Sequence, residues 1–319
     1  MQAFRARLES KQLIVYFCAI ALAVAVGVWV PGATALESLI TPMLAVMLYA
    51  TFLQVPMAEL GRVSGQARFL STLLIANFVA IPLLVAALVR FLPADPMLRL
   101  GVLLVLLAPC IDYVVTFAQL GRADAKRLLA ATPMLLVVQM ALLPVYLGLF
   151  LGGEATALVK MGPFVHAFVW LILVPAALAA MTQVWAARGD AGRRAAEVLG
   201  LLPVPATAAV LFVVVAAVVP QLGAAADAAM RVVPVYLVFA VVAPCLGWAV
   251  ARYARLDVPA RRAVAFSSAT RNSLVVLPLA LAVPDAVPLL PAVIVTQTLV
   301  ELVSELVYIR VLGRRPSRR

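Results

Sequence analysis

Apolar residues fill long stretches of this chain, and short segments rich in Gly, Pro and Arg separate the stretches. Each stretch holds about 20 mostly apolar residues, the length that an α-helix needs to cross the hydrocarbon core of a bilayer. The Gly and Pro residues between the stretches end helices and form turns. The pattern therefore predicts ten transmembrane helices, at residues 12–30, 38–57, 69–91, 98–120, 127–151, 160–186, 197–220, 229–251, 262–283 and 287–311.

The composition supports a membrane location. Hydrophobic residues make up 66% of the 319 residues and charged residues 12%, whereas a soluble domain carries about 25% charged residues. So few charges cannot cover a surface that faces water. We predict an all-α polytopic membrane protein in which residues 1–319 form one transmembrane domain, because no linker is long enough to separate two domains.

The basic residues predict the orientation. A formal net charge of +11 can indicate nucleic-acid binding, but these residues lie in short loops rather than on one patch. Most of the 25 Lys and Arg residues fall at the termini and in alternate loops, and the loops on the opposite side carry only Arg90, Arg99, Lys160 and Arg231. Because cytoplasmic loops are enriched in Lys and Arg, we expect a bacterial inner-membrane protein with both termini in the cytoplasm and no nucleic-acid partner.

An even number of spans also suggests an internal repeat. Ten spans divide into two halves of five, at about residues 1–155 and 156–319. Because five is odd, the second half enters the membrane from the opposite side. We therefore predict two inverted five-helix repeats, an arrangement common among secondary transporters.

Four charged residues interrupt the apolar spans: Asp112 in the fourth, Arg271 in the ninth, and Glu301 and Glu305 in the tenth. A charge at the bilayer centre costs about 2.5–3.5 kcal/mol on insertion scales, so such residues usually mark a transport pathway or an ion pair. Glu305 lies near the cytoplasmic end, where a long side chain can reach the interface. Glu301 lies deeper and needs Arg271, a polar cavity or a proton. An ion pair that only joins two helices is the structural alternative.

Two predicted helices contain helix-breaking residues at membrane depth. Pro109 in the fourth span lacks a backbone N–H and clashes with the preceding turn. The ninth span holds a run of poor helix formers at residues 267–273, which includes Thr270. These spans are fourth in each half, and interrupted helices at corresponding positions indicate the central binding site of a transporter. For the fourth span alone, an incidental proline kink is the alternative.

The three cysteines, Cys18, Cys110 and Cys245, show neither CxxC spacing nor a disulfide framework. Cys110 lies beside Pro109 and is a candidate for function, whereas we interpret the other two as small apolar residues. The sequence holds no P-loop, zincin or Gly-x-Ser-x-Gly signature. We therefore expect neither an enzyme nor a bound metal or other cofactor.

These features resemble those of the bile acid/arsenite transporter superfamily over nearly the whole chain. Within it, arsenite-efflux permeases have a Cys-Ile pair in the fourth span, matched here by Cys110-Ile111. They also have a Leu-Val-Glu-Val-like stretch in the tenth span, matched by Leu299-Val300-Glu301-Leu302. The resemblance implies that the unwound fourth and ninth helices cross, and that Cys110 and Glu301 are the essential thiol and glutamate.

The chain also departs from these permeases. Pro109 stands where they commonly have Arg, and residues 270–274, Thr-Arg-Asn-Ser-Leu, replace a Ser-Asn-Asn-Phe-Glu-like stretch. The sodium-coupled bile acid branch shares the pair Asn272-Ser273, but its sodium-binding glutamate and glutamine fall on Ser267 and Arg271. An arginine keeps its proton at any working pH and can stand in for the ion. The expected coupling ion is therefore H⁺ rather than Na⁺.

Together these features predict a secondary active transporter, an antiporter that confers arsenic resistance by proton-coupled efflux of arsenite or antimonite. Thiols select thiophilic ions, so the metalloid would bind at Cys110. The other expected substrate-binding residues are Asp112, Arg271, Asn272 and Ser273, and the expected proton carrier is Glu301. The alternative is a bile acid:sodium symporter-like carrier of a small organic anion whose carboxylate pairs with Arg271. A membrane-embedded enzyme or receptor is a more distant alternative. Besides the substrate and the lipid bilayer, no obligate protein partner is evident.

Overall fold

The fold was obtained as a computed structural model. It describes residues 2–54, 67–111, 113–152, 162, 165–166, 169–221, 223, 225–281, 283–284 and 286–313.

Helices account for almost all of these ranges. They are α1 Gln2–Trp29, α2 Glu37–Gln54, α3 Ala67–Ile75, α4 Ile81–Val89, α5 Pro96–Leu106, α6 Val114–Leu120, α7 Ala125–Leu151, α8 Val174–Arg188, α9 Asp190–Leu199, α10 Pro203–Val218, α11 Ala226–Tyr253, α12 Val258–Ala269, α13 Ser273–Leu281 and α14 Leu289–Leu312. Single π-helical turns, Ala76–Ala80 and Val169–Leu173, join α3 to α4 and precede α8.

Seven segments among the described residues are long and apolar enough to cross a membrane. They are Ala33–Gln54, Ala67–Val89, Ala125–Leu151, Val169–Arg188, Asp190–Gln221, Ala226–Tyr253 and Leu289–Leu312. The apolar part of α1, Ile14–Trp29, is shorter. The predicted fourth and ninth spans are each divided into two short helices, α5 with α6 and α12 with α13. The chain is thus an all-α polytopic membrane protein, and the count of ten spans stays a prediction.

Large apolar side chains cover the outside of the helices. Trp29, Phe91 and Leu149 are 78%, 81% and 74% exposed, although each would be driven out of contact with water. The ionisable side chains of Arg271 and Glu305 are 0% exposed. Apolar residues outside and ionisable residues inside are typical of a protein surrounded by lipid.

The half-helices α5 and α12 begin in the same way. Asp95 caps α5 by accepting hydrogen bonds from the N–H groups of the second and third helical residues, at 2.9 and 3.1 Å. Asp257 caps α12 by accepting the Ala260 N–H at 3.2 Å. Both helices have a proline in the first turn, where no intrahelical donor is lost. Asp95 precedes Pro109 by the same number of residues as Asp257 precedes Arg271.

Small residues let other helices approach α12 closely. A Cβ atom on Gly247 of α11 would lie 2.4 Å from Ser268 Oγ and 3.0 Å from the Val264 carbonyl oxygen. A Cβ atom on Gly121, just after α6, would lie 2.3 Å from the Phe266 ring. Close approach at small residues is how membrane helices pack. They hold α12, and the break that follows it, against its neighbours.

Candidate functional site

The backbone segments that follow α5 and α12 cross and pair with each other. The Cys110 N–H donates to the Thr270 carbonyl at 3.0 Å, and the Asn272 N–H donates to the Ala108 carbonyl at 2.7 Å. Pro109 and Arg271 face each other as an antiparallel bridge between the two hydrogen bonds. The pairing satisfies backbone groups that the broken helices leave open, as it must at membrane depth.

The two hydrogen bonds join equivalent positions of the two segments. Cys110 precedes Asn272 by the same number of residues as Ala108 precedes Thr270. Exchanging the two segments therefore converts one hydrogen bond into the other. The crossing is a local two-fold arrangement in which each segment contributes one donor and one acceptor.

A cage of oxygen atoms surrounds the Arg271 guanidinium. Its Nη2 donates to the Ser267 carbonyl at 2.5 Å and to Asn77 Oδ1 at 2.9 Å, and its Nη1 donates to the Leu106 carbonyl at 3.3 Å. The Phe239 ring centroid lies 5.6 Å from the guanidinium carbon, within the distance of a cation–π contact. Arg271 thus places a buried positive charge among neutral oxygens beside the crossing.

A π-helical turn positions Asn77 for this contact. Residues Ala76–Ala80 widen the helix between α3 and α4, and Tyr146 Oη donates to the carbonyl of Phe78 in this turn at 2.5 Å. Asn77 Nδ2 donates to the Leu73 carbonyl at 3.1 Å and to Ser267 Oγ at 3.0 Å. With its amide nitrogen occupied, Asn77 presents its oxygen to Arg271. Single π-helical turns of this kind are common at functional sites.

Three donors converge on the carboxyl group of Glu301. Its Oε2 accepts the Arg271 backbone N–H and Gln297 Nε2, both at 2.6 Å, and its Oε1 accepts the Tyr113 hydroxyl at 2.7 Å. Among the described residues, no side-chain cation lies within 4.0 Å of Glu301. Glu301 therefore binds the backbone of Arg271 rather than its guanidinium.

Glu305 lies one helical turn further along α14 and is fully buried. Its Oε1 is 2.5 Å from Thr270 Oγ1. The possibility that this side chain reaches the cytoplasmic interface is therefore excluded. The reason is packing: this face of α14 lies against α11, and Tyr308, in the next turn, donates a hydrogen bond to the Ala240 carbonyl.

The other predicted site residues lie around the crossing. Cys110 is buried, whereas Cys18 and Cys245 are exposed on the outside of their helices. Asn272 caps α13 by accepting the Val275 N–H at 3.3 Å, and its Nδ2 is buried without a partner among the described residues. Ser273 Oγ accepts the Thr298 hydroxyl at 2.8 Å. Asp112 lies outside the residues that the structure describes.

A cavity of about 10 Å³ adjoins the carboxyl group of Glu301, lined on its other sides by Gln297, Tyr236, Phe239 and Tyr308. This volume is close to the minimum of about 10–15 Å³ that a water molecule needs. Over the described part of the chain, no group of three or more His, Cys, Asp or Glu residues could hold a metal ion. The described side chains around the crossing include a thiol, two carboxyl groups and a guanidinium.

A family model described as the Sodium Bile acid symporter family matches residues 41–227, more than half of the chain. The chain belongs to the sodium bile acid symporter family. The match includes α5, the break after it and α6, but it ends before Arg271 and Glu301. No match was found among proteins with curated descriptions. Members of this family are transporters, so the crossing lies in a membrane transporter of the sodium bile acid symporter type.

The structure adds three residues that the sequence analysis missed, Asn77, Tyr113 and Gln297. All three are buried, and each contacts Arg271 or Glu301. Two signals were present in the sequence. Asn77 is an amide inside an otherwise apolar span, and Gln297 is four residues before Glu301, on the same face of a helix. Nothing in the sequence distinguished Tyr113 from an ordinary aromatic residue.

Proposed function

We propose that this family member is a proton-coupled antiporter that exports arsenite or antimonite across the bacterial inner membrane without sodium, with both termini in the cytoplasm. The observation that carries the proposal is the Arg271 guanidinium, held by Leu106, Ser267 and Asn77 beside the crossing. By the resemblance to the sodium-coupled branch, this permanent cation would occupy the position of the bound ion.

The residues around Arg271 do not fit a sodium ion. In the resemblance described above, the sodium-binding glutamate and glutamine fall on Ser267 and Arg271. The glutamate charge is thus absent at Ser267, and an arginine stays protonated in proteins. Two unit charges 4 Å apart repel by about 4 kcal/mol at an effective dielectric constant of 20. A sodium ion would also lose the Ser267 and Asn77 oxygens, which already accept from Arg271.

Glu301 would carry the coupling proton. It is buried in α14 and accepts from Tyr113, Gln297 and the Arg271 backbone. These donors stabilise its ionised form, and burial opposes ionisation. A carboxyl group under such opposing influences can gain or lose its proton when its surroundings change. Because Glu301 accepts a hydrogen bond from the segment after α12, protonation of Glu301 would also change the hydrogen bond that anchors the crossing.

Cys110 supplies the chemistry for a trivalent metalloid. In the binding step, the thiol sulfur bonds to arsenic, one hydroxyl group leaves arsenous acid, and the thiol hydrogen departs with it as water. The reverse step releases the substrate with no change of oxidation state. The Nδ2 of Asn272, on the facing segment, has no partner among the described residues and is a donor for an arsenite oxygen.

The two-fold crossing supports the proposed inverted repeats at about residues 1–155 and 156–319. In such repeats, corresponding broken helices meet at the substrate site, and one part of the protein rocks against the other. The matched Asp95 and Asp257 caps and the exchangeable hydrogen bonds of the crossing are what two repeats related in this way would share. A topology of ten spans, with five spans in each half, is compatible with such inverted repeats.

The second candidate function is transport of a small organic anion, favoured by the family match itself. That function requires a cation for the substrate's carboxylate. Arg271 is fully buried, and both of its terminal nitrogens already donate to protein oxygens. Releasing them would leave three buried oxygens without this donor, which makes the organic anion the weaker candidate.

Everted membrane vesicles provide the test. Labelled arsenite should accumulate in vesicles that hold an imposed pH gradient, at the same rate in sodium and in choline buffers. Accumulation should stop when a protonophore collapses the gradient. A saturable rise of the rate with sodium at constant pH would contradict the proposal. Gradient-dependent uptake of a labelled bile acid without arsenite uptake would favour the second candidate.

A further inference from the structure

The hydroxyl group of Thr270 has two close oxygen neighbours. Its Oγ1 lies 2.7 Å from the Phe266 carbonyl oxygen and 2.5 Å from Glu305 Oε1. Both distances are those of O–H···O hydrogen bonds. Thr270 has only one hydroxyl hydrogen and can donate it to only one of these two oxygens.

That hydrogen cannot serve both contacts. A backbone carbonyl only accepts, so the bond to Phe266 uses the Thr270 hydrogen. The short contact between Thr270 Oγ1 and Glu305 Oε1 then needs a second hydrogen, and only a protonated Glu305 carboxyl group can supply it. The geometry is satisfied when Glu305 donates to Thr270 Oγ1 and Thr270 donates to Phe266.

The environment of Glu305 also favours a neutral carboxyl group. The side chain is 0% exposed, and its Oε2 has no hydrogen-bond partner among the described residues. No Lys, Arg or His nitrogen of the described part of the chain lies within 4.0 Å of it. An ionised carboxylate in these surroundings would be buried and unpaired, which costs far more than burying the neutral acid.

Glu301 has the opposite environment, although a hydroxyl group contacts it as well. The Tyr113 hydroxyl is 2.7 Å from Glu301 but 3.2 Å from its second acceptor, the Arg271 carbonyl. Its hydrogen therefore serves the carboxylate. The other carboxylate oxygen accepts two N–H donors at 2.6 Å, the pattern of an ionised group.

Charge balance gives the same assignment. Among the described residues, the titratable side chains around the two glutamates are Tyr113, Tyr236 and Tyr308, with Arg271 on the other side of the segment that Glu301 binds and the Cys110 thiol on the facing segment. With neutral tyrosines and thiol, an ionised Glu301 balances the charge of Arg271. Among these described groups, a second ionised carboxylate would leave a net negative charge away from water.

We infer that the two buried glutamates hold opposite protonation states: Glu305 is a neutral acid that donates to Thr270, and Glu301 is ionised and available for a proton. The inference rests on the proposed function and deepens it, because it separates the coupling carboxyl group from a positioning one. Thr270 also provides the carbonyl that accepts the Cys110 N–H. The proton on Glu305 thus fixes the backbone opposite the thiol.

Infrared difference spectroscopy tests the assignment on the full-length protein in lipid nanodiscs at neutral pH, without substrate. The C=O stretch of a protonated carboxyl group absorbs apart from carboxylate and amide bands. We expect Glu305→Gln to remove one carboxyl C=O band from the wild-type spectrum, and Glu301→Gln to leave that band in place. Because neither arsenite nor a gradient is present, this result is independent of whether arsenite is the substrate.

A second pair of variants leaves both glutamates intact, in case Glu305→Gln does not fold. Thr270→Val removes the acceptor of the Glu305 hydrogen and should shift its C=O band, whereas Thr270→Ser should leave the band where it is. Loss of a carboxyl band in Glu301→Gln would overturn the assignment, as would a protein with no carboxyl band. An unshifted band in Thr270→Val would overturn the proposed donor bond. If the bands behave as expected but arsenite transport is absent, the proposed substrate fails and the protonation states stand.

Discussion

Glu301 and Arg271 meet through the backbone of Arg271, whose N–H donates to Glu301 Oε2 at 2.6 Å. The guanidinium group turns to the other side of the crossing, where the oxygens of Leu106, Ser267 and Asn77 solvate it. The carboxyl group therefore anchors the extended segment between α12 and α13, and the positive charge is held independently. This separation makes it possible to change one residue without undoing the contacts of the other.

Replacing Glu301 by glutamine should leave a folded protein that binds arsenite but does not accumulate it. The glutamine oxygen can accept from Arg271 and Gln297, and its NH₂ group can donate to the Tyr113 oxygen. It cannot take up or release a proton. Thermal melting, arsenite binding and net transport should be measured on one preparation.

The matched control for this change is Glu197→Gln on α9, where the side chain is exposed. It should melt, bind and transport like the wild type. Net arsenite accumulation at the wild-type rate by a folded Glu301→Gln protein would exclude Glu301 as the proton carrier. A large fall in melting temperature would show that its main task is structural.

Replacing Cys110 by serine should abolish arsenite resistance in a sensitive bacterial host. The serine keeps the backbone N–H that donates to Thr270, so the crossing is preserved while the thiophilic ligand is lost. Growth in arsenite should fall to that of cells carrying an empty vector. Cys18→Ser and Cys245→Ser are the controls, since both side chains are exposed on the outside. Full resistance of the Cys110 variant at normal expression would remove the thiol from the mechanism.

The double change Ser267→Glu with Arg271→Gln should make the protein respond to sodium. It removes the guanidinium and supplies the acid and amide expected of the sodium-coupled branch. A ligand that binds the folded state raises its stability, by about 2.7 kcal/mol at a concentration 100 times the dissociation constant. We therefore expect sodium, compared with choline, to raise the melting temperature of the double variant and not that of the wild type. A sodium-dependent rise in the wild type would show that Arg271 does not exclude the ion.

A methyl group at Gly247 should destabilise the protein. The new Cβ would lie 2.4 Å from Ser268 Oγ, and the overlap would force α11 away from α12. Overpacking of this kind costs about 1–3 kcal/mol, so Gly247→Ala should melt at a lower temperature and transport more slowly. Gly148→Ala on α7 is the control, because a Cβ there meets nothing within 4 Å. Equal melting temperatures for the two variants would contradict the close packing of α12.

Physical rules with few exceptions made part of the site predictable. Pro109 cannot continue a helix, and a charge such as Arg271 or Glu301 at membrane depth needs a reason. Those two rules were enough to select the segments that cross. The family match then assigned the transporter class on evidence that does not include Arg271 or Glu301.

The other features of the site depended on which neighbours each helix face packs against. A position near a helix end would have allowed Glu305 to reach water, but that end of α14 is covered by α11. Asn77 meets Arg271 from a π-helical turn, and such a turn rotates the residues around it away from the regular helical face. Neither the packing of α11 over this end of α14 nor the π-helical turn can be recognised from a single sequence.

The crossing also imposes an order on the biogenesis of the protein. Cys110 and Ala108 leave the ribosome long before Thr270 and Asn272, which complete their hydrogen bonds. In hydrocarbon an unsatisfied backbone group costs several kcal/mol, so α5 and α6 enter the bilayer as an incomplete pair that the later helices must find. A chain that stops translating before α12 would lack segment 270–272, the partner that completes the crossing. It would therefore be a substrate for membrane quality control rather than a half-active carrier.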